Sequence, residues 1–161
     1  MPQLTSTSSR HVTTHLHTDG PIPGPHSLLT LTSAAYGAGG VLISTFTANL
    51  RELPGATVHP TALDAWRGRA EDWLRTRRAT RPPGRVAHDY LAWVDGLGGR
   101  PLLVADPAEP DHYLFVYWYL QRFAGRWPFA GLVPANPGWA PPPCPLGGCR
   151  TDDTVALPVA S

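Results

Sequence analysis

The chain has 161 residues, 42% of them hydrophobic, and a formal net charge of +1. That length suits one domain with its own core, and the balanced charge excludes any argument for a nucleic-acid partner from the total field alone. Two cysteines exclude a disulfide framework, and no apolar run reaches membrane-spanning length.

Met1 to Arg10 is Ser/Thr-rich without the apolar core of a signal peptide. It is expected to be a flexible start, with a cytoplasmic location and no membrane partner for the protein. Arg10 to Thr18 is rich in β-branched residues and predicts a strand. Its period of two sets His11, Thr13, His15, His17 and Asp19 on one face and Val12, Thr14, Leu16 and Thr18 on the other. Asp19 to Pro25 (DGPIPGP) is a rigid loop by composition, with Asp19 a natural turn residue. Ser27–Tyr36 and Val41–Phe46 read as two further strands around a Gly37–Gly40 turn, giving an antiparallel meander.

Pro60 opens a helix through Trp66 that continues toward Arg77, weakened in the middle by Gly68. Every basic residue in the chain is arginine, and Arg67, Arg69, Arg75, Arg77, Arg78, Arg81 and Arg85 crowd this stretch. They offer a basic surface or, more simply, a solvated helix face. Arg85 to Leu97 has apolar residues at helical spacing and ends at Gly98-Gly99. Pro101–Ala105 suits a buried strand. Asp111 to Gly125 is the most aromatic run. Pro110 precedes it and Gly125 follows it, which predicts a helix with a C′ glycine. Its apolar residues spread over two faces, so burial on most sides is expected. Asp111 stands where a helix dipole favours a carboxylate.

Residues 131–161 carry seven prolines and no sustained period, and predict a disordered tail. Cys144 and Cys149 lie there. Two thiols make no structural zinc site by themselves. The fold class expected is α/β, a mixed sheet flanked by helices over residues 11–130, with an irregular tail. Nothing in the sequence fixes an oligomeric state.

His15-Leu-His17-Thr-Asp19-Gly-Pro-Ile-Pro-Gly-Pro25 resembles a segment of DEDD-type 3'-5' exonucleases of the ribonuclease-H-like superfamily, in which a strand carrying Asp-x-Glu runs into Asp-Gly-Pro-Ile-Pro-Gly-Pro. His59-Pro to Trp66, Pro101–Ala105, Asp111 with Phe115 to Leu120, and Pro128-Phe129 resemble later segments of the same group, in order. The resemblance spans about His11 to Phe129. It implies a ribonuclease-H-like fold and phosphodiester hydrolysis at the 3' end of single-stranded DNA or RNA. It also implies two divalent metals, Mg²⁺ or Mn²⁺, one preparing the attacking water and one stabilising the leaving oxygen.

By that resemblance the first two carboxylates fall on His15 and His17, and Asp111 keeps the third. The family's His-x(4)-Asp motif has no counterpart, because no histidine stands at that spacing before Asp152 or Asp153. Impaired catalysis is therefore expected, or an inactive nuclease fold that binds nucleic acid or protein through the arginine stretch. A reading frame whose proline-rich tail replaces lost helices is a further alternative. His15, His17 and Asp111 form either a two-histidine, one-carboxylate set suited to zinc, nickel or iron, or the remnant of a decayed site that needs no metal.

Overall fold

A computed structural model describes residues 8–106 and 109–135. Its strands are β1 (Ser9–Thr18), β2 (Leu28–Tyr36), β3 (Leu42–Asn49), β4 (Arg100–Ala105) and β5 (Gly131–Pro134). Its helices are α1 (Pro60–Arg67), α2 (Ala70–Thr76), α3 (Pro83–Gly96) and α4 (Pro110–Phe123), with a 3₁₀ turn at Ala38–Gly40. The strands form one sheet in the order β3-β2-β1-β4-β5. The first three make the expected antiparallel meander, while β4 runs parallel to both β1 and β5. The class is α/β with a mixed sheet. Among the described residues no helix is long and apolar enough to cross a membrane.

The pleat sorts β1 as its period demands. Val12 and Leu16 join Leu31, Leu103, Val86, Tyr90, Val94, Phe115 and Val116 in the main core, so α3 and α4 cover that face. The helix α4 is anchored by more than apolar burial. The Tyr119 hydroxyl accepts a hydrogen bond from the Leu28 amide at 2.8 Å, satisfying a buried donor at the start of β2. Tyr90, also fully buried, shares a 2.9 Å hydrogen bond with the Ser33 hydroxyl. A second, smaller cluster of Leu29, Ala62 and Trp66 lies where α1 meets the sheet.

Helix ends follow local chemistry. His59 caps α1 by accepting from the Thr61 amide at 3.2 Å, with Pro60 in the first turn. Gly125, at φ 68°, closes α4 as a C′ glycine, its amide donating to the Leu120 carbonyl at 2.9 Å. Asn49 donates through Nδ2 to the Arg75 and Arg78 carbonyls, which ties the end of α2 to the end of β3. Gly99, at φ 63°, is required where β4 begins, because a Cβ there would strike the Ser8 carbonyl.

Three expectations are corrected. The single helix from Pro60 toward Arg77 is two, broken at Gly68-Arg69, where Arg69 leaves helical backbone at φ −134° and ψ 47°. The helix α4 is not buried on most sides: Phe115, Val116, Tyr119 and Leu120 are buried, but Leu114 and Tyr117 remain 42% and 41% exposed. The tail does not begin at residue 131, because Gly131–Pro134 pairs with Leu102–Ala105 as the edge strand β5. Residues 1–7 and the remainder of the predicted tail, with Cys144, Cys149, Asp152 and Asp153, lie outside the described residues.

Candidate functional site

The strand β1 outruns β4. Their ladder stops at Val12↔Leu103, while β1 continues to Thr18. The N-terminal turn of α4 enters the space this leaves, where the His112 imidazole hydrogen-bonds the Thr14 backbone. The histidines of β1 therefore sit beside the start of α4. Across the sheet, His15 pairs with Thr32 and His17 with Thr30, and both threonines are buried.

The three imidazoles are neighbours. The His15 and His17 ring centroids are 4.9 Å apart at an interplanar angle of 81°. The His15 and His112 centroids are 6.1 Å apart at 86°. Trp66 stands against His17 at 5.8 Å, and its indole N–H donates to the Thr18 carbonyl. The Nδ1 of His112 lies 3.1 Å from a Glu109 carboxylate oxygen. The Nε2 of His15 is buried and has no hydrogen-bond partner among the described residues, a costly state for a polar atom.

Burial dominates the electrostatics. It lowers the pKa of His17 to about 3, and the neighbouring His15 and Arg69 push in the same direction. His15 is lowered first by burial and then by His112, against the opposing pull of Glu109. His112 is lowered by burial even though Glu109, Asp111, Asp106 and the Thr14 hydrogen bond favour its protonated form. His15 and His17 are thus neutral at pH 7, with lone pairs to offer and no charge of their own.

Of the three residues singled out in the sequence, His15 and His17 are in ring contact, and Asp111 lies in the first turn of α4, next to His112. Asp111 is half-buried in the first turn of α4 and acts electrostatically on His112. Among the described residues it makes no hydrogen bond or ion pair with either β1 imidazole, nor do three His, Cys, Asp or Glu side chains group closely enough to hold a metal ion. The position next to Asp111, His112, is the one that faces His15. Sequence reading passed over His112 and Glu109, although their i, i+3 spacing at a helix start was a usable signal.

Mg²⁺ is a hard ion that takes oxygen ligands. The side chains that meet here are imidazoles, whose donors are nitrogens, so the set does not fit a Mg²⁺ or Mn²⁺ pair. The arginine stretch is largely occupied too. Arg67 pairs with Asp64, Arg69 and Arg75 with Asp72, Arg77 with Glu52, and Arg81 and Arg85 with Asp89. Asp19 behaves as the turn residue it resembles. Its carboxylate accepts from the Ser27 amide, and its carbonyl from the His59 amide at 2.7 Å. The Gly20-to-Pro25 loop rests on α4 through Gly24, against the Trp118 ring.

No protein-family model matches this chain, and no curated protein matches it.

Proposed function

We propose that this protein is a ribonuclease-H-like domain of the DEDD exonuclease type in which Mg²⁺-dependent 3'-5' hydrolysis has been lost. The observation that carries this reading is the neutral pair of half-buried His15 and buried His17. It occupies the strand positions where the resemblance puts the first two metal-binding carboxylates. A mixed sheet with a meander followed by parallel β4 and β5 supports the fold half of the reading. So does a helix starting beside β1 with Asp111 in its first turn.

The chemistry follows from the charges. Two metal ions at a phosphodiester need negative ligands to hold them and to balance their charge. His15 and His17 supply neither. Asp111 remains, but one carboxylate does not hold a metal pair. The ion-paired arginines argue against a broad electrostatic grip on nucleic acid, so a residual partner would be the 3' end of a single strand of DNA or RNA, met at the β1–α4 junction.

The test is mononucleotide release from 3'-labelled single-stranded DNA and RNA in Mg²⁺ or Mn²⁺. The wild-type chain and Asp111→Ala are expected to give the same background. A His15→Asp, His17→Glu double variant is expected to recover Mg²⁺ binding in part without full turnover. Robust wild-type cleavage that Asp111→Ala abolishes would overturn the reading.

A further inference from the structure

We propose that His15, His17 and His112 form a binding site for one late first-row divalent ion, with Zn²⁺ as the reference, and that Glu109 holds His112 in place for it. The inference uses the donors at the β1–α4 junction and does not depend on the nuclease reading.

Four observations carry it. The Nε2 of His15 is buried without a hydrogen-bond partner among the described residues. A cation is one of the few partners that would use its lone pair in a place water does not reach. The His15 and His17 rings are also at the right separation. With Zn–N bonds of about 2.0–2.1 Å and tetrahedral angles, two imidazoles on one ion have centroids about 5 Å apart, against 4.9 Å here. The donors are of the right type, since imidazole selects zinc, copper, nickel and iron over magnesium and calcium. Lastly, a carboxylate on the distal nitrogen of a ligating histidine is the usual way to fix its tautomer and raise its basicity. Glu109 stands 3.1 Å from the Nδ1 of His112 in that arrangement.

The site is not closed as it stands. The His15–His112 separation of 6.1 Å exceeds the coordinating distance by about 1 Å, which accords with the absence of a ready-made three-donor group among the described residues. Binding therefore requires His112 to exchange its Thr14 backbone hydrogen bond for the ion while keeping Glu109. The Arg69 charge opposes a cation here, but Asp72 pairs with it at 3.0 Å.

The test is Zn²⁺ titration of the full chain by calorimetry, with the visible spectrum of Co²⁺ as a report of ligand geometry. The Cys144→Ser, Cys149→Ser background removes the two thiols as competing ligands. One equivalent of Zn²⁺ is expected to bind in that background. His15→Ala, His17→Ala and His112→Ala should each weaken binding at least 10-fold, and Glu109→Gln by about 10- to 100-fold. His15→Ala removes an unpartnered buried atom, so an unchanged metal-free melting temperature will separate ligand loss from misfolding. The proposal is overturned by absence of binding, by loss of binding in the double-serine background, or by affinity indifferent to His15. Affinity that depends on His15 and His17 but not on His112 overturns the three-ligand site. Zn²⁺ binding without nuclease activity leaves the proposed function standing, so the two readings fail separately.

Discussion

The two faces of β1 are made by one ten-residue strand and have opposite economies. On the face under α3 and α4, Val12 and Leu16 are buried in one core with Phe115, Tyr90 and Val116, and the tyrosine hydroxyls that enter it, those of Tyr90 and Tyr119, are hydrogen-bonded. On the other, His17 is buried and His15 half-buried, among threonines and each other. Burial on the first face is a source of stability. On the second it holds imidazoles neutral and leaves one nitrogen unpartnered. A face that carries such a cost without a folding return is where a binding role is best sought.

The comparison breaks most visibly in the core. Phe115 is fully buried, so Phe115→Ala should lower unfolding free energy by about 3–5 kcal/mol in a urea titration. A loss below about 1 kcal/mol would mean that α4 does not pack on the sheet as described.

The histidine face should show itself through pH. His15, His17 and His112 all have folded pKa values below the ordinary 6.5, so the unfolded chain binds protons first on acidification. Their contribution is therefore complete above about pH 6.5 and is lost as pH falls below it, by up to about 1.4 kcal/mol per pH unit for each histidine. For His17 the window reaches down toward about 3. Melting temperatures measured from pH 8 to 4.5 should fall across the acid half of that range, and His17→Gln should flatten the fall. A profile identical to the wild type's in His17→Gln would remove His17 as a cause.

Between these extremes lies the anchor from α4 to β2. Tyr119→Phe leaves the Leu28 amide buried without its acceptor, at a cost of about 1–3 kcal/mol. Amide exchange at Leu28 should accelerate with it, and unchanged exchange would place the amide's acceptor elsewhere. His15→Val should move stability the other way, by up to about 1 kcal/mol, since it removes an unpartnered polar atom. A loss of stability there would show that Nε2 finds a partner in solution. The smallest effect is expected at Arg67, whose pair with Asp64 is open to solvent. Arg67→Ala should stay within about 0.5 kcal/mol in the same urea titration.

Elements with a clean period were legible before the fold. Period two in Arg10–Thr18 gave both β1 and the separation of its histidines from its valine and leucine. Pro110 and Gly125 bounded α4 because a missing amide and a positive φ are local requirements. The strand β5 was not legible, since Gly131–Pro134 is four residues without alternation and becomes a strand only by pairing with β4. Leu114 was likewise misread as buried, because composition does not say which flank of a helix meets a neighbour.

What the sequence by itself determined is the local chemistry: the strand and helix periods, the caps, and two imidazoles on one side of one strand. These depend on neighbours a few residues apart. Which groups meet across the chain was decided only by the tertiary structure. The ladder between β1 and β4 ends at Val12, and that ending lets the first turn of α4 reach β1. The helix phase there brings the His112 ring, one residue beyond Asp111, to 6.1 Å from the His15 ring. A rotation of about 100° per residue separates the side chains of Asp111 and His112, and no pattern within α4 records where β1 lies.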